Sequence, residues 1–156
     1  MPNLLPEDYE EEVITAEDVE SEEPAGYRNG LYFDYETGDF RRDGRNKILD
    51  SDGIESWKSW CLNNVMTERY KHLAYSTDFG IEWEAVFAAV SHDEAESILV
   101  RQITEALLAD PYERTDYVED VNIDWTAPDA ITVKVVVHGM FDATIDFTAY
   151  ITKGGV

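Results

Sequence analysis

The chain has 156 residues, with 34 acidic side chains against 12 basic ones, a formal net charge of −22 and a pI near 4.2. That length suits one domain with a sizeable core. The charge repels nucleic acid and anionic membrane surfaces, and it opposes non-specific self-association until a complementary partner arrives. A lone cysteine, Cys61, leaves no internal disulfide. No apolar run reaches membrane-spanning length, and the N-terminus lacks a signal-peptide pattern, so synthesis in a reducing cytoplasm is expected.

Over residues 1–26 every charged side chain is acidic: Glu7, Asp8, Glu10, Glu11, Glu12, Glu17, Asp18, Glu20, Glu22 and Glu23. Like charges at this density with few apolar groups predict a disordered acidic tail. The alternative is a docking segment, with Leu4, Leu5, Tyr9, Val13 and Ile14 entering a partner while the carboxylates meet its basic rim. The folded domain is expected over 27–156. Tyr32, Phe33 and Tyr35 lead into Glu36-Thr37-Gly38-Asp39, and Phe40 restarts an extended run. Gly38 supplies the positive φ of a tight hairpin. Arg41, Arg42, Arg45 and Lys47 form the basic cluster that follows, too narrow for a nucleic-acid face and read as neutralising the chain's own acidic surface.

Asp52 and Glu55 have capping-box spacing ahead of a helix predicted to run to about Tyr70, with Ile54, Trp57, Cys61 and Val65 on one face and Trp60 widening it. Residues 72–80 read as a loop or short strand closed by Gly80. Residues 81–90 read as a short buried helix with Trp83, Val86, Phe87 and Val90 inward.

The chain is organised around residues 91–150. Ser91 and Glu94 form a second capping box, and Ala95, Ile98, Leu99, Ile103, Ala106 and Leu107 recur at helical intervals. Pro111 ends that helix at about Asp110. The period then changes to two. Tyr117, Glu119, Val121, Ile123 and Trp125 share a side of one strand, and a turn at Ala127-Pro128-Asp129 follows. Ile131, Val133, Val135 and Val137 share a side of the next strand; Gly139 lies in the second turn; Ala143, Ile145, Phe147, Ala149 and Ile151 line the third strand. The expected fold class is α+β: a small antiparallel sheet with an N-terminal hairpin, two main helices and a C-terminal three-stranded meander. Such a meander has one face for the helix to cover and two edges open to a further strand.

Chemistry is thinly signalled. His72, His92, His138 and Cys61 are scattered, with no metal-ligand spacing. Asp34-Tyr35-Glu36-Thr37-Gly38-Asp39 is the best local calcium candidate but lacks the full loop pattern. No serine sits in a nucleophile elbow, and Asp78-Phe79-Gly80 matches the kinase tripeptide without its companions. No cofactor is expected. A carboxylate pair for glycoside hydrolysis would need one buried acid, and the sequence singles out none among its 34.

Leu31-Tyr32-Phe33-Asp34-Tyr35-Glu36-Thr37-Gly38-Asp39-Phe40, Ser56-Trp57-Lys58-Ser59-Trp60, Thr67-Glu68-Arg69-Tyr70, Tyr75-Ser76-Thr77-Asp78-Phe79-Gly80 and Ile103-Thr104-Glu105-Ala106-Leu107 through Asp110-Pro111 occur in an order that resembles the XkdS-like proteins of contractile phage tails. That family is similar to the lysozyme-like baseplate wedge proteins, or sheath initiators. The resemblance implies a non-enzymatic baseplate component, assembled in the bacterial cytoplasm in six copies per particle. Its implied partners are wedge proteins, tail tube or hub proteins and the sheath, with no nucleic acid and no membrane. It further implies that strands are offered to the first sheath ring; by the pattern, an edge of the 131–137 or of the 143–151 strand can take a partner strand, and Val133, Val135, Val137, Ile145 and Phe147 mark these two candidates. The wedge relatives carry a Glu-Pro-Arg element after the long helix. Here that place reads Asp110-Pro111-Tyr112-Glu113-Arg114, and Glu113 and Arg114 are the candidates for the wedge contact. Two rivals stand beside this reading: a peptidoglycan-cleaving lysozyme-like enzyme, and an acidic inhibitor that mimics nucleic acid. A self-contained sheet with no donated edge also stays open from the pattern alone.

Overall fold

The computed structural model describes residues 26–154, so the acidic segment and its two readings lie outside the described residues except for Gly26. In chain order the elements are β1 (Gly30–Leu31), β2 (Phe33–Asp34), β3 (Asp39–Phe40), β4 (Asp50–Ser51), α1 (Gly53–Met66), α2 (Trp83–Ala88), α3 (His92–Leu108), β5 (Thr115–Ala127), β6 (Ala130–Gly139) and β7 (Thr144–Thr152). Among the described residues the fold is mixed, with three helices, small antiparallel pairs near the start and a three-stranded antiparallel sheet at the end, as the sequence predicts.

Local chemistry sets the helix starts. The Asp52 carboxylate accepts from the Glu55 amide at 2.8 Å, and the Ser91 hydroxyl accepts from the Glu94 amide at 3.2 Å. Glu94 reaches back to the Val90 amide at 2.9 Å, one residue before the expected partner. α1 stops at Met66, short of Tyr70, because the chain turns there: Glu68 and Ile81 form a parallel bridge across a loop, with Arg69 N donating to the Ile81 carbonyl and Ile81 N to the Thr67 carbonyl, both at 2.9 Å. The hairpin at Gly38 forms as read, with φ +71° at that glycine and Phe33 opposite Phe40. The β1–β4 pair, which brackets this hairpin, has no sequence signature at two residues a strand.

α1 packs against β7 and α3 against β5, both on one face of the sheet. Trp57, Cys61 and Val65 from α1, Ala95, Leu99, Ile103, Ala106 and Leu107 from α3, and the inward side chains of β6 and β7 form the core. Burying large side chains contributes about 1.5–3 kcal/mol each, which makes this face the main source of stability. Among the described residues no buried side-chain nitrogen or oxygen lacks a hydrogen-bond partner. Asn64 donates to the Ala106 carbonyl at 2.9 Å and accepts from Gly80 N at 2.7 Å, tying α1 to α3 and to the loop before α2.

Four positions expected on the inward faces point elsewhere. Ile54 is 43% exposed and Val90 is 96% exposed, because each sits in a first turn or connection outside the packed stripe. Tyr117 and Glu119 face away from the core. A bulge between Val118 and Asp120 inserts an extra residue in β5, so Val118 faces inward with Val121 and Ile123 while its neighbours turn out.

Candidate functional site: the sheet edges and the helix-to-strand junction

The order β5-β6-β7 makes β6 the centre, hydrogen-bonded on both sides. Val133, Val135 and Val137 are therefore corrected as partner-binding candidates: their backbone groups are consumed by the ladder, and their side chains are fully buried. Lys134 lies on that central strand's open face and guards no edge. Among the described residues the unpaired edges belong to β5 and β7.

These two edges differ. β5 carries register shifts near its start, at Val118/Asp120 and near its end. Bulges twist an edge and spoil a regular row of donors and acceptors. β7 pairs with β6 without a shift from His138↔Thr144 to Ala130↔Thr152. At either end of this ladder Gly139 N donates to the Ala143 carbonyl at 2.8 Å and Lys153 N to the Asp129 carbonyl at 2.7 Å. Antiparallel ladders alternate, so odd positions of β7 bond to β6 and even positions present N–H and C=O groups outward. Ile145 and Phe147 thus stand on the edge strand, but their side chains go into the core and their backbone groups face β6. Thr144, Asp146, Thr148, Tyr150 and Thr152 hold the outward row, with side chains on the open face of the sheet.

At the helix-to-strand junction Asp110 and Arg114 form a buried bidentate pair. Arg114 Nε donates to Asp110 Oδ2 at 2.7 Å and Nη2 to Oδ1 at 2.9 Å. Asp110 also accepts from the Tyr112 and Arg114 amides, both at 3.1 Å. The guanidinium lies 5.1 Å from the Tyr112 ring centre and 5.5 Å from that of Trp60. The arginine singled out in the sequence is thus only 5% exposed and engaged internally, while Glu113 is exposed in a left-handed conformation at φ +52°. The structure does not bring Glu113 and Arg114 together as a pair; Asp110 is the acid.

Other candidates resolve as structure. Asp34 accepts from the Glu36 and Thr37 amides at 2.9 and 3.4 Å, so it caps the hairpin turn. Among the described residues no three His, Cys, Asp or Glu side chains group to hold a metal, and no helix is long and apolar enough to cross a membrane. Cys61 is fully buried and its thiol is pushed up by burial, then by the Asp110 charge. An open groove of about 590 Å³ is lined by Glu68, Trp83, Glu84 and Phe87 among others. Burial raises the Glu68 carboxyl above its ordinary value, and Glu68 accepts from the Trp83 amide at 3.1 Å, so it caps the start of α2.

Residues 30–140 match the family model of the contractile injection system sheath initiator. The chain belongs to the sheath initiator family. No curated protein matches it. Membership supports a structural role for this sheath initiator in the baseplate of a contractile tail, in contact with sheath or tube and with other baseplate components.

Proposed function

We propose that this sheath initiator joins the first ring of sheath subunits by β-augmentation along the outer edge of β7. The observation that carries the reading is the unshifted nine-residue β7 ladder, whose even positions present an outward row of main-chain donors and acceptors. Strand addition takes its affinity from those groups and its register from alternate side chains. Directional, repeatable pairing is what a sheath lattice requires. Asp146 is the charged side chain within β7, so the edge is lightly guarded against other strands, while the net charge of −22 discourages self-pairing before assembly.

The body of the domain, in this reading, docks on wedge and tube or hub proteins in six copies per particle. The Asp110–Arg114 pair holds the junction rigid, leaving Tyr112 and Glu113 as its exposed part. In sequence, the acidic residues 1–26 precede the domain assigned to 27–156 and are counted apart from it. The chain works without catalysis: Glu68, the acid raised by burial in the open groove, is occupied in capping α2. The test is assembly in the presence of chains blocked at the β7 edge. Particles with tube but no anchored sheath support the reading; normal sheath around a folded, edge-blocked chain contradicts it. Loss of turbidity of cell-wall suspensions that is abolished by Glu68→Gln would instead establish the enzymatic rival.

A further inference from the structure

The β6–β7 hairpin tip is built against its own local preferences. Phe141 and Asp142 are consecutive left-handed residues, at φ +58° and +56°. A turn with positive φ at both central positions ordinarily takes Asn-Gly or a similar pair, since a side chain crowds the following carbonyl there. A phenylalanine in that position is a genuine outlier. It gains little inside the chain in return, because Phe141 is 76% exposed.

The tip is nevertheless held firmly. Gly139 N donates to the Ala143 carbonyl at 2.8 Å, Ala143 N to the Met140 carbonyl at 3.3 Å, and Met140 N to the Arg114 carbonyl at 3.0 Å. The Tyr27 hydroxyl donates to the Met140 carbonyl at 2.7 Å. On the same end of the sheet Tyr112 and Tyr117 are 53% and 49% exposed, and Tyr117 stacks on His138 at 4.5 Å. Glu113, itself left-handed, Asp116 and Asp142 are exposed acids at this end, while Glu119 pairs with His138 and the Arg28 guanidinium lies 5.1 Å from the Tyr112 ring centre. Strained backbone conformations cluster at functional sites, where the strain serves the contact with another molecule. A rigid aromatic flanked by aromatics and rimmed by charge has the composition of an interface anchor.

We propose that Phe141 is a docking anchor that enters an apolar pocket, edged by lysine or arginine side chains, on a protein partner in the baseplate. The acidic rim selects the basic edge and disfavours an anionic membrane. The inference rests on the baseplate reading but not on strand pairing at the β7 edge, which uses main-chain groups of β7 and not the Phe141 side chain.

Phe141→Asn tests it. Asparagine tolerates the left-handed region, so the purified full chain is expected to gain about 2–4 °C in Tm. Incorporation of the same chain into particles from a strain lacking the native chain is expected to fall tenfold or more. Phe141→Trp keeps the aromatic and should retain most incorporation. Wild-type incorporation of Phe141→Asn overturns the proposal. So does a fall in its Tm, which would assign Phe141 an internal packing role. Phe141-dependent co-sedimentation with phosphatidylglycerol vesicles would point to lipid and likewise overturn it. Thr148→Pro, which blocks the β7 edge alone, should still be incorporated but without sheath, so failure of the edge reading is seen separately.

Discussion

Thr148→Pro separates folding from strand donation. Thr148 lies at the middle of the outward row on β7, opposite Lys134 in register, and its amide points away from β6. Proline there removes no internal ladder bond, and its absent donor falls where edge strands accept proline. The isolated chain is expected to change in stability by about 1 kcal/mol or less. A partner strand fares differently. Each net hydrogen bond contributes about 0.5–1.5 kcal/mol, and the ring also displaces the incoming carbonyl and weakens its neighbours. A loss of about 2–4 kcal/mol in docking corresponds to roughly one and a half to three decades in affinity. Thermal unfolding would establish that the variant is folded, and co-sedimentation of the chain with sheath on preassembled tubes would read the docking. A folded Thr148→Pro chain that binds sheath within threefold of wild type would show that sheath does not pair along the β7 edge. Phe147→Pro is the control: it removes a β6–β7 bond and is expected to unfold the sheet edge.

Arg114→Ala strands the buried Asp110 carboxylate, and the expected cost is about 3–5 kcal/mol, read as a fall in urea midpoint; a change under 1 kcal/mol would deny the pair its structural role. Burial raises the Glu68 carboxyl above its ordinary value of 4.5, so the folded chain holds that proton more tightly than the unfolded one. Its contribution is therefore present below the unfolded pKa and lost as pH rises through the folded one. Glu68→Gln, which keeps an acceptor for the Trp83 amide, is expected to gain stability over wild type at pH 7 and to lose that advantage at pH 4; an unchanged difference would contradict it. Cys61 is buried with its thiol pushed upward, so Ellman's reagent should label it only at the rate of global unfolding. Rapid labelling of the native chain would show that α1 opens locally.

Much of this was legible because the signals were periodic. The helical stripe from Ala95 to Leu107, the alternation along β6 and β7, and the two caps at Asp52 and Ser91 each follow from spacing alone. The β5 face was half lost because a bulge at Glu119 flips the phase, and no residue type marks a bulge without glycine. Two short turns flanking residues 130–139 already required β6 to pair on both sides, so the hidden valines were readable and the edge assignment to them was an over-extension of the pattern. The outward row on β7 depends on which residues of an antiparallel pair exchange bonds, a phase that sequence does not carry. The burial of Arg114 was likewise invisible, since a lone arginine after a proline reads the same whether it meets a partner or its own i−4 carboxylate.

The most direct measurement is a cryo-EM map of the assembled baseplate at a resolution that separates strands. The expected map shows a fourth strand, from a sheath subunit, hydrogen-bonded to Thr144, Asp146, Thr148, Tyr150 and Thr152 along the outer edge of β7. A map in which sheath meets this domain elsewhere, with that edge open to solvent, would contradict it.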